Sequence, residues 1–479
     1  MGISIRQLTG SASFAAIAPP ASGLARAVAP PPAAPPPVAP PPAAPPPVAP
    51  PTAPPPAPTA PRRPPAAPAA PEESAFQRWR ATTFASLASP GYRLLFQGNY
   101  ATQIGMWMQQ VAFGWLVLEL TDSPFYLGLA GFFRAIPMLM ISPFGGVLAD
   151  RLERRKLLIL SQAAMGVVAA VLAFMVAAHI VHPWHLLLSS FLSGTAMSMN
   201  MPARQALISQ LVSKPQLPSA IALNSMSMNS SRILGPSLAG ILIGAIGIAG
   251  CMFLQAGAYI WSIFNVFQIK VPPQDRRARD ASMLENLLEG FRYCYEEKTV
   301  FAMLSLAAMT AIFGQPYMQF LPAFARDVLY LGPSGLGVMM TAVGVGALIG
   351  SIAIASFGTA RGRGTILLIA AGLFGLSLCL LALTKSTALS LLLLAGGGFA
   401  NAMLMSLNQT ILQQTVPDHL RGRVMSVYML TWGLMPLGTL PIGMIAQSHG
   451  TPTAIFLGGV VCYVGALWIF FFRPSFRSI

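Results

Sequence analysis

The chain is 479 residues long, 54% hydrophobic and only 9% charged. A soluble domain needs about 25% charged residues to cover its surface, so this composition excludes a water-soluble enzyme. The formal net charge is +15, from 29 Lys and Arg against 14 Asp and Glu, and the placement of those cations decides whether they signal nucleic acid or a membrane boundary.

Residues 1–75 differ from everything after them. Twenty-five of the 44 prolines precede Glu72, and the unit PPPAAPPPVA repeats from Pro30 to about Pro50. Such a stretch cannot build a core and is expected to be a disordered, polyproline-II-like cytoplasmic tail. Its first 30 residues hold Arg6, Arg26, several serines and no acid, so a transit peptide is the other reading.

From Arg93 onward twelve apolar runs alternate with short polar breaks, at about 94–118, 125–148, 157–180, 184–209, 218–246, 250–270, 300–325, 334–358, 364–383, 388–415, 422–446 and 452–472. Each is long enough to cross a bilayer as a helix, and none alternates with the period of a strand. The expected fold is an all-α membrane protein of twelve transmembrane helices, arranged as an N-terminal six-helix half (90–270) and a C-terminal half (300–472).

The cations agree with that count. With the N-terminus in the cytoplasm, 25 of the 29 Lys and Arg fall on the cytoplasmic side, including Arg151, Arg154, Arg155 and Lys156 after the second run and Arg204 and Lys214 after the fourth. Arg326 and Lys385 fall outside, and Arg134 and Arg232 lie within helices. This bias marks a multi-pass plasma (inner) membrane protein with both termini cytoplasmic, and it removes nucleic acid as a partner.

The two halves repeat. PFYLG from Pro124 matches PSGLG from Pro333 at an offset of 209, which also aligns Arg154 with Arg363. QALISQLV from Gln205 matches QTILQQTV from Gln409 at an offset of 204. Six crossings return the chain to its starting side, so the halves are parallel, pseudo-symmetric repeats. The linker at 271–299 is the sizeable internal hydrophilic segment. Ser282 with Glu285 reads as a capping box, and Leu284, Leu287, Leu288, Phe291 and Tyr295 mark one face of an amphipathic helix lying on the membrane surface.

The loop after the second run reads Gly146-Val-Leu-Ala-Asp150-Arg151-Leu-Glu-Arg154-Arg155. It resembles the signature loop of the major facilitator superfamily, with Glu153 where that signature has glycine. In the family this cluster forms a cytoplasmic gate, so Gly146, Asp150, Arg151, Arg154 and Arg155 are the gate candidates. The repeat near Gly358–Arg363 lacks the acid, which makes the gate asymmetric. In the fifth run, Arg232, Gly235, Pro236 and Gly240 partly match a glycine-proline signature of proton-coupled exporters. Within the superfamily, the strings from Trp115 to Pro124, from Asn229 to Pro236 and from Glu289 to Tyr293 resemble the enterobactin-exporter-like, or transmembrane secretion effector, branch. That resemblance implies export of siderophore-like or drug-like small molecules.

Arg134 and Arg232 are costly residues, because a cation at mid-bilayer must face a wet cavity or a partner. They either draw an anionic substrate or bond backbone groups to stiffen a gate. For Arg232 the second role is the expected one. Polar side chains within the runs give the substrate-cavity candidates Gln103, Gln109, Asn200, Asn224, Gln315, Gln319, Asn401, Asn408, Tyr428 and Trp432, together with Arg134; Gln110 and Asn229 are further polar positions. A proton carrier must titrate in a changing environment, and the available acids are Glu119, Asp122, Asp150 and Asp327. His179, His182 and His185 lack a supporting acid or Cys and are interrupted by Pro183, so no metal site is expected. The four cysteines read as small buried hydrophobes. No catalytic motif and no cofactor is indicated. The expectation is a monomeric, proton-driven exporter working by alternating access. An importer or uniporter on the same scaffold is one alternative, and a non-transporting scaffold recruiting partners through its proline-rich tail is another.

Overall fold

The computed structural model describes residues 84–151, 153–270, 283–357 and 362–473; within them the side chains at 142–151, 283–287, 355–357 and 432 are not described. The proline-rich tail and the Ser282–Glu285 capping box lie outside the described residues, as do the side chains of Leu284 and Leu287.

Twelve crossings and one surface helix follow the chain. The first four are α1 (Pro90–Thr121), α2 (Pro124–Arg151), α3 (Arg154–Ala177) and α4 (Pro183–Leu211). The helical stretch Leu217–Phe267 bends back at Gly247, whose φ of 70° is closed to most side chains, and so divides into α5 (217–246) and α6 (248–267). The linker contributes α7 (Met283–Glu296). The second half contains α8 (Lys298–Asp327), α9 (Pro333–Phe357), α10 (Arg363–Leu383), α11 (Thr387–Thr415), α12 (Asp418–His449) and α13 (Thr451–Phe472). Proline opens α1, α2, α4 and α9, where its missing N–H costs nothing. A π-turn at Thr310–Gly314 bends α8, and a break at Leu434 interrupts α12.

The duplicated motifs fall on equivalent helix boundaries. Arg154 and Arg363 open α3 and α10, and α4 and α11 end four residues beyond Leu207 and Ile411 respectively. Apolar side chains such as Ile241, Ile260 and Leu392 stay exposed on the outer surface, as lipid contact requires. Among the described residues, nine uninterrupted segments are long and apolar enough to cross a bilayer, the longest holding both α5 and α6. The two crossings missing from that set are α1 and α4, which bury polar side chains such as Asn99, Thr102 and Gln103 in α1 and Ser189, Ser190, Ser198 and Asn200 in α4.

Core packing differs between the two ends of the bundle. At the end carrying Arg154 and Arg363, each half has its own core. One joins Leu95, Leu157, Leu207 and Val266, and the other joins Val300, Leu367, Leu407 and Val424. At the opposite end the cores are shared. Met108, Val111 and Ala239 pack with Phe324, Met339 and Leu378, while Leu116, Leu127 and Leu186 pack with Phe320, Ile442 and Ala454. The halves are therefore joined at the opposite end and separately packed at the basic one.

One expectation needs correction. Arg204 is not a loop cation: it lies inside α4, with its guanidinium bonded to Asn99 Oδ1 of α1. In α7, Gly290 and Cys294 turn inward, and Gly290 abuts the Arg423 backbone while Glu289 pairs with Arg423. Leu288, Phe291 and Tyr295 remain exposed. Burial pushes the Cys294 thiol up to about 11, so it stays protonated as a small apolar group.

Candidate functional site

A cavity between α1, α2, α4, α6 and α8 is built around Arg134. Its walls include Gln109, Gln110, Ser189, Tyr259 and Gln319. Helix α4 approaches so closely here that a Cβ on Gly194 would lie 2.0 Å from the Arg134 carbonyl oxygen, so only glycine allows this crossing. Arg134 Nη1 donates to Gln110 Oε1 at 3.3 Å, and Gln110 Nε2 donates to Gln319 Oε1 at 3.3 Å. This chain of bonds runs from α2 through α1 into α8 and thus joins the two halves. No described carboxylate pairs with Arg134. Gln255 Oε1, also in the wall, is buried without a partner. The free space is about 50 Å³, room for a few waters only. An organic solute fits here only after the helices separate.

The other polar candidates go elsewhere. Asn200 donates to Ser161 Oγ at 3.0 Å, tying α4 to α3. Gln315 donates to Asn401 Oδ1 at 3.0 Å, and Asn408 to the Met303 carbonyl at 3.1 Å, both tying α8 to α11. Asn224 accepts from Asn99, extending the Arg204 cluster into α5. Gln103 is buried within α1, and Tyr428 sits in the core of the second half. The side chain of Trp432 lies outside the described residues. Of the candidates, Gln109, Arg134 and Gln319 share the cavity.

Arg232 is held differently from the expectation. Its guanidinium lies over the Trp107 ring, 5.3 Å from the centroid, instead of bonding backbone carbonyls. Gly235 presses against Trp107 Cβ and the Ile104 carbonyl, Gly240 against Ser334 of α9, and Pro236 is buried beside them. Ser334 Oγ donates to the Gly240 carbonyl at 2.6 Å, so the glycine-proline segment is where α5 meets the second half.

At the basic end, Gly146, Asp150 and Arg151 occupy the last turns of α2, and their side chains lie outside the described residues. Arg154 Nη1 donates to the Ala206 carbonyl of α4 at 3.3 Å. Arg155 Nε donates to the Val266 carbonyl at 3.1 Å, and its Nη2 to that of Phe267. Arg363 Nη1 donates to Gln414 Oε1 of α11 at 2.6 Å, the symmetry-related counterpart of the Arg154 contact. Arg155 thus caps the exposed carbonyls at the C-terminus of α6, where a cation is favoured.

At the opposite end, Arg326 gathers two of the acid candidates. Its Nη2 lies 2.6 Å from Asp122 Oδ1 and its Nε 2.6 Å from Asp327 Oδ1, while Nη1 donates to the Leu118 carbonyl at 3.1 Å. Asp122 and Leu118 belong to α1 and its cap, and Arg326 to α8, so this cluster clamps the halves together. Glu119 is exposed and lines a separate pocket. The sequence offered no signal for Trp107, Asn99 or Arg326 as partners, because each acts through a residue more than 100 positions away. His185 Nδ1 accepts the His182 backbone N–H at 2.9 Å, capping α4. Among the described residues, no group of three His, Cys, Asp or Glu could hold a metal.

Comparison with known proteins completes the description. The profile of the family described as transmembrane secretion effector matches residues 81–477. The staphyloferrin A transporter of Staphylococcus aureus (strain NCTC 8325 / PS 47) is 24% identical over 77% of this chain and 92% of its own length. The multidrug efflux pump Tap of Mycolicibacterium fortuitum is 26% identical over the same shares, and the enterobactin exporter EntS of Shigella flexneri is 24% identical over 73% of this chain and 83% of its own. Among solved structures, a POT family transporter superposes with a TM-score of 0.66 at 13% identity, covering 81% of this chain and 96% of that one. The nucleoside transporter NupG (D323A mutant) superposes with a TM-score of 0.64 at 15% identity, covering 79% and 99%.

Proposed function

We propose that this chain, which belongs to the transmembrane secretion effector family of major facilitator transporters, exports anionic small molecules by alternating access, driven by protons. That it is a membrane transporter related to exporters of siderophores and drugs follows from the family; the direction, the substrate charge and the coupling ion are the reading advanced here. The observation that carries it is Arg134, a cation inside the bundle with no described carboxylate partner, bonded through Gln110 to Gln319 of the other half. A site that holds a positive charge without neutralising it favours an anion. Arrival of an anion at Arg134 would compete with Gln110 and loosen the link between the halves.

In this reading both termini are cytoplasmic. The basic end then faces the cytoplasm, and the Arg326 clamp closes the outside. Residues 90–270 rock against 300–472, Asp150 with Arg151 and Arg154 closes the inner mouth in the other state, and the protein works as a monomer. Protons from outside would neutralise Asp122 or Asp327 and release Arg326, so these acids, with Glu119 and Asp150, are the proposed coupling groups. The shared cores at the clamped end support the outer-closed assignment.

The test uses everted vesicles carrying an acid-inside gradient, with solutes chosen by comparing the spent medium of a deletion strain and its parent. Arg134→Gln should reduce uptake of anionic solutes by about tenfold or more, the worth of a hydrogen bond to a charged group. Neutral solutes should lose less. Equal losses for both overturn the anion reading, and no accumulation of any candidate overturns export.

A further inference from the structure

A second cavity lies at the clamped end, between α1, the end of α3, the Gly247 turn and the start of α9. Its walls include Trp115 and Glu119 of α1, Val176 and His179 at the end of α3, Ile248 beside the Gly247 turn, and Pro333 at the start of α9. It is an open groove with about 590 Å³ of free space, against about 50 Å³ around Arg134. In this arrangement of the halves, the groove has room for an organic molecule and the central cavity does not.

The chemistry of the walls is specific. Trp115 and Glu119 stand one helical turn apart, so the indole and the carboxylate share a face of α1. Asp122, Glu153, Glu289, Glu296, Asp327 and Asp418 each pair with an Arg or Lys. Glu119 makes no ion pair or hydrogen bond with any described residue, although it lines the larger cavity. The rest of the wall is mostly aliphatic. A carboxylate against low-dielectric walls attracts a cation more strongly than one in open water, and the face of an indole adds to that attraction. A small inorganic cation would leave the apolar walls uncovered.

We propose that this vestibule is a binding site for a monovalent organic cation with aromatic or alkyl substituents. Glu119 takes the charge, and Trp115 with the aliphatic wall takes the body. The site is separate from the Arg134 cavity, whose charge repels such a ligand. Pro333 belongs to the second half, so an occupant touches both halves and favours the arrangement in which they meet. The proposal is independent of the direction of transport and of the central substrate.

The test is equilibrium binding of radiolabelled tetraphenylphosphonium to the full chain in lipid nanodiscs, with empty nanodiscs subtracted. Wild type should bind saturably, Glu119→Gln about tenfold more weakly, and Glu119→Asp within about threefold of wild type because it keeps the charge. The location is read separately in Ala177→Cys, which leaves Glu119 in place. Tetraphenylphosphonium should slow its labelling by a membrane-impermeant maleimide at least about threefold, on the same occupancy argument. Absence of saturable binding, unchanged affinity in Glu119→Gln, or unaltered labelling of Ala177→Cys at saturating probe each overturns the proposal.

Discussion

Arg326→Ala tests the clamp between the halves, and its size can be worked from the contacts. The bond to Asp327 lies within one half and does not count toward holding the halves together. Two contacts cross. The pair with Asp122 involves a carboxylate 87% exposed, so it contributes about 0.2–1 kcal/mol. The bond to the Leu118 carbonyl is made by an arginine only 27% exposed and is worth about 1.5–3 kcal/mol before screening. Together they favour the clamped state by about 2 kcal/mol, so Arg326→Ala should shift the equilibrium between states about 30-fold. Asp122→Asn removes only the exposed pair and should shift it about fivefold or less. Spin labels at Ile180→Cys and Lys385→Cys, one on each half at this end, read the change as growth of a longer distance in pulsed resonance spectra. An unchanged distance distribution in Arg326→Ala refutes the clamp, and an equal shift in both variants refutes the weight given to Leu118.

Three further outcomes follow from the same geometry. Asp150→Asn should abolish transport while the protein still inserts and purifies as a monodisperse species; full transport would remove the gate assignment. Gly194→Ala drives a methyl into the Arg134 carbonyl and should cost about 1–3 kcal/mol, seen as a lower melting temperature in detergent. Gly372→Ala, whose new Cβ would meet Tyr463 at an ordinary 4.0 Å, should melt like wild type, and equal behaviour of the two contradicts the tight α2–α4 crossing. Trp107→Leu takes the ring from beneath Arg232 and should lower stability by about 0.5–2 kcal/mol, whereas Trp107→Phe should retain most of it. Indistinguishable melting of both variants and wild type would mean that the ring does not hold the guanidinium.

The amino-acid order alone determined the crossings, their boundaries and the duplication. Lipid makes every backbone group bond within its own helix, so each crossing needs a continuous apolar stretch that is visible without knowing its neighbours. Proline starts, the Gly247 turn and the flanking arginines then mark the ends, and the offset of 209 carries Pro124 onto Pro333 and Arg154 onto Arg363. Tertiary structure alone decided which polar side chains share a space. Arg134 meets Gln319 through Gln110, while Asn200, Gln315 and Asn408 are taken up by neighbouring helices, although all look alike as polar residues in apolar runs. Arg204 looked like a loop cation, but α4 continues past it to Leu211 and its guanidinium meets Asn99 of α1. A helix places successive residues about 100° apart, and whether one faces lipid, a partner or a cavity depends on helices far away in the chain.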